Sequence, residues 1–299
     1  MKFKNNKPDI VATSGIEDTA LPAISYKPDN SIKNGYFNIF VEIAREIKKN
    51  QWLILQLFKR DLLATYKQSF IGIFWVIILP VVSVLTFVVL NHSGIFTIDR
   101  LNVPYPLFAI WGLTFWQTFS TGLLAASNAL VKAGSMVVKI NFSKKALVIA
   151  SAGQALIPLA TLTSLALLLS LIYGYLPSPW ILLVPALALP LLVMILGLGL
   201  ILSLLNGIIR DIGNVLSMLV TFLLFLTPIL YPLPKGGRFA YISRLNPLYY
   251  LINLPRDLIL FGTSTHWKGF IWSSITALLV FLICLVAFHL TETRVAERI

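Results

Sequence analysis

Residues 57–80 read LFKRDLLATYKQSFIGIFWVIILP, a basic amphipathic segment that runs without a turn signal into a charge-free apolar one. Lys59, Arg60 and Lys67 suit a helix lying among anionic headgroups, and nothing between positions 68 and 90 is ionisable. That uncharged run is about 20 residues long, enough to cross a hydrocarbon core. The stretch reads as a helix on the cytoplasmic membrane surface that continues into a transmembrane helix.

Composition agrees with this reading. Of 299 residues, 57% are apolar and 12% charged, and mean hydropathy is +0.83. A single soluble core of this length could not bury so much apolar sequence, and the apolar residues come in span-length blocks. The chain reads as a polytopic helical membrane protein. Its net charge of +12 could point to nucleic acid in a soluble protein. Here the Lys and Arg residues gather in the N-terminal region and one internal loop, beside membrane spans, where anionic lipid and topology account for them. Cys284 is the one cysteine, so there is no disulfide framework and no thiolate metal cluster. A cleaved signal peptide is not expected, because the first span is too long and no small-residue cleavage site follows it.

On the N-terminal side, residues 1–35 carry Pro8, Pro22 and Pro28 among polar residues without periodicity, and read as a flexible cytoplasmic tail. From 36 to 67 the pattern turns helical. Phe40, Ile43, Ala44, Ile47, Ile54, Phe58 and Leu62 recur on one side, with Glu42, Arg45, Lys48, Lys49, Gln56 and Lys59 on the others. This predicts an interfacial amphipathic helix with a break near Asn50. A helix packed on a soluble partner is the alternative, and the adjoining span argues against it.

On the C-terminal side, nearly charge-free segments recur at 70–90, 106–131, 146–172, 180–205, 212–231 and 269–290. They predict six transmembrane helices within a permease domain of residues 68–290. The leading helix, the loop with Lys132, Lys139, Lys144 and Lys145, Arg210, and the end at 291–299 with Arg294 and Arg298 fall on one face. The positive-inside rule makes that face, and both termini, cytoplasmic.

The loop at 232–268 contains LNPLYYLINLP (245–255), which is apolar but about half the length of a span and bracketed by Pro247 and Pro255. Two short helical pieces joined by a turn are expected. They could be re-entrant, since irregular backbone at membrane depth is tolerated where it is buried in protein or lines a cavity. They could equally lie on the outer surface.

No catalytic constellation emerges. His92, His266 and His289 sit in separate segments with no carboxylate or Cys at ligand spacing. There is no G-x-S-x-G elbow and no G-x-x-x-x-G-K-[ST] phosphate loop. Asp99, Arg210, Asp211 and Glu292 fall at span boundaries or in loops, so the charged groups expected of an ion-coupled carrier are missing from the spans. The energy source is expected in another subunit.

Two features carry functional readings. Positions 132–145 place Lys132, Lys139, Lys144 and Lys145 around Met136, Val137, Val138, Ile140 and Phe142. The lysines alone would make a topology signal, whereas the apolar run suits a short helix docked in a partner's groove. Phe108, Trp111, Phe115 and Phe119 recur at i, i+3, i+7 and i+11, Phe70, Phe74 and Trp75 mark the first span, and Phe222 and Phe225 the fifth. Such rings either pack or line a pathway, and aromatic faces without fixed charge would hold sugar rings weakly and repeatedly. Gly199, Ser203 and Gly207 form a small-residue ridge read as helix packing.

The order Arg60-Asp61, Tyr66-Lys67-Gln68-Ser69, Gly72, Trp75 and Pro80 resembles the start of the permease subunit of ABC-type polysaccharide exporters, the family that moves O-antigen, capsule and teichoic acid chains. Arg210-Asp211, the run from Thr227 to Pro232, Leu245-Asn246-Pro247 and Arg256-Asp257-Leu258 extend the resemblance, which covers about 52–290. It implies an all-α permease that works as a homodimer with two copies of a separate nucleotide-binding ATPase. ATP and Mg would bind that partner, and no cofactor would bind this chain. It further implies that a lipid-linked glycan crosses the cytoplasmic (inner) membrane through a channel between the permeases. By the same resemblance, Lys132, Met136, Lys139, Phe142, Lys144 and Lys145 belong to the segment that couples to the ATPase. Asn246, Pro247, Tyr249, Tyr250, Arg256 and Asp257 belong to an outer gate of short re-entrant helices between the fifth and sixth spans. A permease for small lipids or drugs, and a membrane enzyme of glycan assembly, are the rival readings.

Overall fold

In the computed structural model the described residues are 36–67, 74–92, 102–134, 143–233 and 236–296. Among them there is no strand. The amphipathic segment is helical on both sides of Asn50: α1 is Tyr36–Lys49 and α2 is Gln51–Lys67. Asn50 closes α1, with its amide and Nδ2 both donating to the Glu46 carbonyl. Ile43 is buried and Ile47 half-buried, while Glu42, Arg45, Lys48 and Lys49 are exposed.

The remaining helices are α3 (Trp75–His92), α4 (Tyr105–Ser127), α5 (Ala129–Ala133), α6 (Lys144–Ala152), α7 (Leu156–Ile172), α8 (Val184–Ile208), α9 (Asp211–Leu226), α10 (Arg238–Leu245), α11 (Pro247–Phe261) and α12 (Trp267–Ala296). Among the described residues three helical stretches are long and apolar enough to cross a membrane: Lys144–Ile172, which joins α6 to α7 through a 3-10 turn, Pro179–Ile208 and Trp267–Thr291. Ile77–Thr86 and Asp211–Leu226 are apolar but shorter.

The core is built around α4, which is buried along most of its length and packs against α3, α6, α7, α8 and α11. Pro106 lies in its first turn, where a missing amide costs nothing. Helices α8 and α12 form the most extensive pair. Between apolar helices in a bilayer the drive to associate is close packing, because lipid tails are as apolar as leucine. Small residues therefore set the contacts. A Cβ on Gly197 would stand 2.7 Å from the Phe281 Cα, and one on Gly199 would stand 2.5 Å from the Ala126 Cβ. The ridge of Gly199 and the fully buried Ser203 is thus a packing surface.

Two expected boundaries shift. The fifth segment leaves the helix after Leu226, not at 231, because Thr227 precedes Pro228 and takes an extended conformation (φ −97°, ψ 121°). Residues 227–230 are nevertheless buried, with Ile229 wedged against Gly112. The apolar loop does form two helices, but the break falls at Asn246 and Pro255 lies inside α11. Asn246 caps α11, its side-chain oxygen accepting from the Leu248 amide at 3.0 Å, and Pro247 occupies the first turn. Gly262, at φ 74°, ends α11 in the left-handed conformation that glycine adopts without strain. The junction at 68–73, including Phe70, and the loop positions Met136, Lys139 and Phe142 lie outside the described residues.

Candidate functional site

Helices α10 and α11 form a polar cap over the beginning of α4. Asn246 turns its Nδ2 to Thr227 Oγ1 at 2.9 Å while its oxygen caps α11, so one side chain joins the end of α9 to the start of α11. Tyr105 donates to the Leu230 carbonyl at 2.8 Å. Arg256 is buried, with its guanidinium carbon 3.8 Å from the centre of the Phe108 ring, and it donates to the Ile229 carbonyl at 3.2 Å and to Asp257 Oδ1 at 3.0 Å. A buried cation needs this many partners, since burial of an unpaired charge is costly. The cation therefore locks α11, the 227–230 segment and α4 together.

Beside it, Tyr249, Tyr250 and His266 stack edge to face, with centroid separations of 5.0, 5.3 and 6.0 Å. The Tyr249 hydroxyl lies 3.3 Å from His266 Nε2, which is also 3.7 Å from Asp257 Oδ2. Burial pushes the Tyr249 phenol up to about 12. Burial also lowers the His266 pKa from its ordinary value, against the opposing pull of the Asp257 carboxylate. Both groups are therefore neutral at pH 7, and the cluster is a packed aromatic knot with one ion pair beside it. Of the expected gate residues, Asn246, Tyr249, Tyr250, Arg256 and Asp257 are tied into this cap, and Pro247 begins its second helix.

The aromatic residues divide into two sets. Phe108, Trp111, Phe115 and Phe119 are only 0–3% exposed. Their spacing does put them on one line of α4, but the line faces the subunit's own interior, because α4 is surrounded by neighbouring helices. Within the subunit these rings pack against neighbouring helices, the first of the two readings their spacing allows. Phe222 and Phe225, at 62% and 58%, and Phe74 and Trp75 are exposed. On α9 the exposed face also carries Asn214, Ser217 and Thr221 at i, i+3 and i+7, next to Phe222 and Phe225. Ser217 and Thr221 donate to the carbonyls of Asn214 and Ser217. This face combines ring surfaces, hydroxyls and an amide with the apolar side chains of Val215, Met218 and Leu219, and apart from Asp211 at its end it bears no charge.

At the opposite end, α6 meets the leading helices. Lys132 is exposed on α5 and Lys144 half-buried at the start of α6. Lys145, expected to reach toward a partner, is instead fully buried, with Nζ 3.0 Å from Glu46 Oε2 on α1. The correction follows from helix geometry: one step beyond Lys144 rotates the side chain by about 100°, from the rim to the inner face. Ser143 caps α6, accepting from the Ala146 amide at 3.3 Å.

A third polar cluster is one that the sequence reading missed. Asn206 on α8 donates to the Ser127 carbonyl at 3.1 Å and to Asn128 Oδ1 at 3.0 Å, and accepts from the Gly213 amide at 2.9 Å. It joins α4, α8 and α9 next to Arg210 and Asp211. The signal available was an amide residue near the end of an otherwise apolar span.

Residues 53–260 match the family model for the ABC-2 type transporter, which covers well over half of the chain. The chain belongs to the ABC-2 type transporter family. The matched region of this ABC-2 permease runs from α2 through almost all of α11, so it takes in the cap, the exposed face of α9 and the start of α6. A Myxococcus xanthus protein named O-antigen export system permease protein RfbA is 31% identical over 195 residues, 64% of this chain and 73% of that protein. Two Klebsiella pneumoniae proteins of the same name are 27% identical over 220 residues, covering 72% of this chain and 82% of the relative, and 25% identical over 251 residues, covering 82% and 94%. An ABC-2 permease is a multi-pass transport subunit. That agrees with the apolar helices of the fold and the residues gathered at its two ends.

Proposed function

We propose that this ABC-2 permease forms the channel of an ATP-driven exporter that carries a lipid-linked polysaccharide outward across the cytoplasmic membrane. The observation that carries the reading is its similarity, spanning 73–94% of their length, to permeases named for O-antigen export. The exposed α9 face supports it: Phe222 and Phe225 offer ring surfaces and Thr221 a hydroxyl, a chemistry suited to sugar rings moving in succession. In this reading α3, α4 and α9 join the three long spans to make six crossings, both termini are cytoplasmic, and α10 and α11 are re-entrant and cap the outer end.

Two copies of the chain would bring their α3 and α9 faces together around the pathway, with Phe74, Trp75, Phe222 and Phe225 on its wall. Two copies of a separate ATPase would bind ATP and Mg and engage the segment from Lys132 to Lys144 from the cytoplasmic side. The permease itself would contribute shape and no hydrolytic group. Co-expression with its ATPase and reconstitution into vesicles loaded with lipid-linked glycan tests the reading. ATP-dependent appearance of glycan in the opposite leaflet is expected. ATP-driven movement of a small lipid or drug without glycan movement would replace it with the rival permease reading.

A further inference from the structure

We infer that α1, α2 and α6 form one rigid unit that carries displacement of the cytoplasmic loop into the membrane domain, and that Lys145 is the positioning residue that fixes α1 to it. The inference rests on the permease reading, because it assigns a path for the motion that reading requires.

The observations lie at two ends of α6. Near its start, the Lys145 side chain is fully buried and ion-paired with Glu46 at 3.0 Å, across 99 positions of sequence. Near its end, Ser151 donates to Asp61 Oδ2 at 3.2 Å, and the other oxygen of Asp61 accepts from Arg60 at 2.8 Å. Residues 145 and 151 are about 9 Å apart along a helix axis. One attachment to α1 and one to α2, at that separation, tie α6 to both surface helices. Around them, Ile43 and Leu57 are buried, and the Phe58 ring sits 3.1 Å from where a Cβ on Gly153 would stand, so a ring of α2 fills the space left by a glycine.

A lysine serving only as a topology signal stays solvated, as Lys132 does. Lys145 instead gives up its hydration to pair with Glu46 on α1, and a buried ammonium cannot leave such a partner cheaply. Helix α6 begins directly after the loop, so a push on the loop reaches α6 first. Through Lys145 and Ser151 it then reaches the surface helices. The amphipathic segment is in this account a moving part of the transporter as well as a membrane float.

The test uses the full transporter with its ATPase. In a Cys284→Ala background, Glu46→Cys and Lys145→Cys are joined by a short bis-methanethiosulfonate linker that replaces the lost side-chain reach. Glycan transport and ATP hydrolysis are then measured before linking, after linking and after reduction. A linked transporter that works within about twofold of the parent is expected. Linking that stops transport, with recovery on reduction, would mean that α1 and α6 must separate during the cycle, and would overturn the proposal. Lys145→Met is expected to keep ATP hydrolysis while the glycan moved per ATP falls at least about fivefold, with recovery in the charge-exchanged pair Glu46→Lys/Lys145→Glu. Unchanged stoichiometry in Lys145→Met would also overturn it.

Spin labels at Lys48→Cys and Ile149→Cys read the rigid unit without any glycan. Their separation should be the same with and without ATP, and a change between the two states overturns the rigid unit even where transport cannot be followed. Absence of glycan movement by the Cys284→Ala parent, with the label separation constant, counts against the permease reading and leaves the rigid unit standing.

Discussion

Arg256 sits over Phe108, its guanidinium carbon 3.8 Å from the ring centre, and this contact joins the polar cap to the central helix. The same guanidinium bonds the Ile229 carbonyl and Asp257, so its planar fork is used on three sides. Replacing it with alanine leaves Asp257 without its cation and the Ile229 carbonyl without a donor. Arg256→Ala should cost about 3 kcal/mol of stability, and Arg256→Lys should recover only part, because an ammonium cannot reproduce the fork. Phe108→Leu should lose about 1–2 kcal/mol, from the cation–π contact and packing. Thermal unfolding in detergent checks the order. Equal stability of Arg256→Lys and wild type would show that charge alone holds the cap.

Asn206 presents a similar case inside the membrane domain. Its amide serves Ser127, Asn128 and Gly213 at once. Asn206→Leu fills much the same space but strands a buried carbonyl and a buried amide, and should cost about 1–3 kcal/mol. Asn206→Ser, which retains one polar atom, should cost less. Both are read from the unfolding midpoint of the purified permease.

Much of the fold was legible because it depends on local pattern. The basic face of α1, the break at Asn50 and the apolar blocks all follow from residue spacing that a helix must obey. The apolar pattern puts the end of α9 at 231, although the proline after Thr227 ends the helix at Leu226. The direction in which a periodic face points was not legible. The line from Phe108 to Phe119 has the spacing of a channel wall, and it is interior because α4 has neighbours on every side, a fact held in the tertiary arrangement. Lys145 and Lys144 are indistinguishable in composition, and only packing against α1 separates them. Asn206 and Asn128 are 78 positions apart, beyond any local signal.

The close approach of α8 and α12 sets a sharp steric limit. A methyl group on Gly197 would meet backbone atoms of Phe281 at 2.7 and 2.9 Å, and backbone cannot step aside as a side chain end can. Gly197→Ala should therefore destabilise the permease by about 1–3 kcal/mol, although alanine is the better helix former. Gly236, with open space around it, should accept alanine without measurable loss. A stabilised Gly197→Ala protein would show that the two helices slide freely.

The His266 cluster makes packing of the cap pH-dependent, and its sign follows from the direction of the shift. Burial lowers the folded-state pKa of His266 below its ordinary value near 6.5. The unfolded state then binds the proton more readily, so the contribution is complete above about pH 6.5 and is lost as pH falls through the folded value. Hydrogen exchange over residues 247–267 should speed up between pH 7 and pH 5 after correction for intrinsic rates. His266→Gln should flatten that response. An identical pH response in the variant would assign it to another group.

Accessibility measurements separate the two aromatic sets. Cysteines replacing Phe222 or Phe225 in a Cys284→Ala background should react with a small water-soluble thiol reagent when the assembled transporter opens. Those replacing Trp111 or Phe115 should not, because neighbouring helices cover them. Exposure in a single subunit does not by itself separate a wet wall from a lipid-facing one, and the reagent makes that distinction because it reacts from water. Asn214, Ser217 and Thr221 share the exposed face of α9 with the two rings and with Val215, Met218 and Leu219, whereas the exposed face of α3 at Leu79, Val82, Leu85 and Val89 is aliphatic apart from Thr86. Labelling should accordingly be strong at Ser217→Cys and weak at Val82→Cys. Reaction at Trp111→Cys in the open state, with Phe222→Cys protected, would place the pathway inside the subunit along α4 and restore the role its spacing suggests.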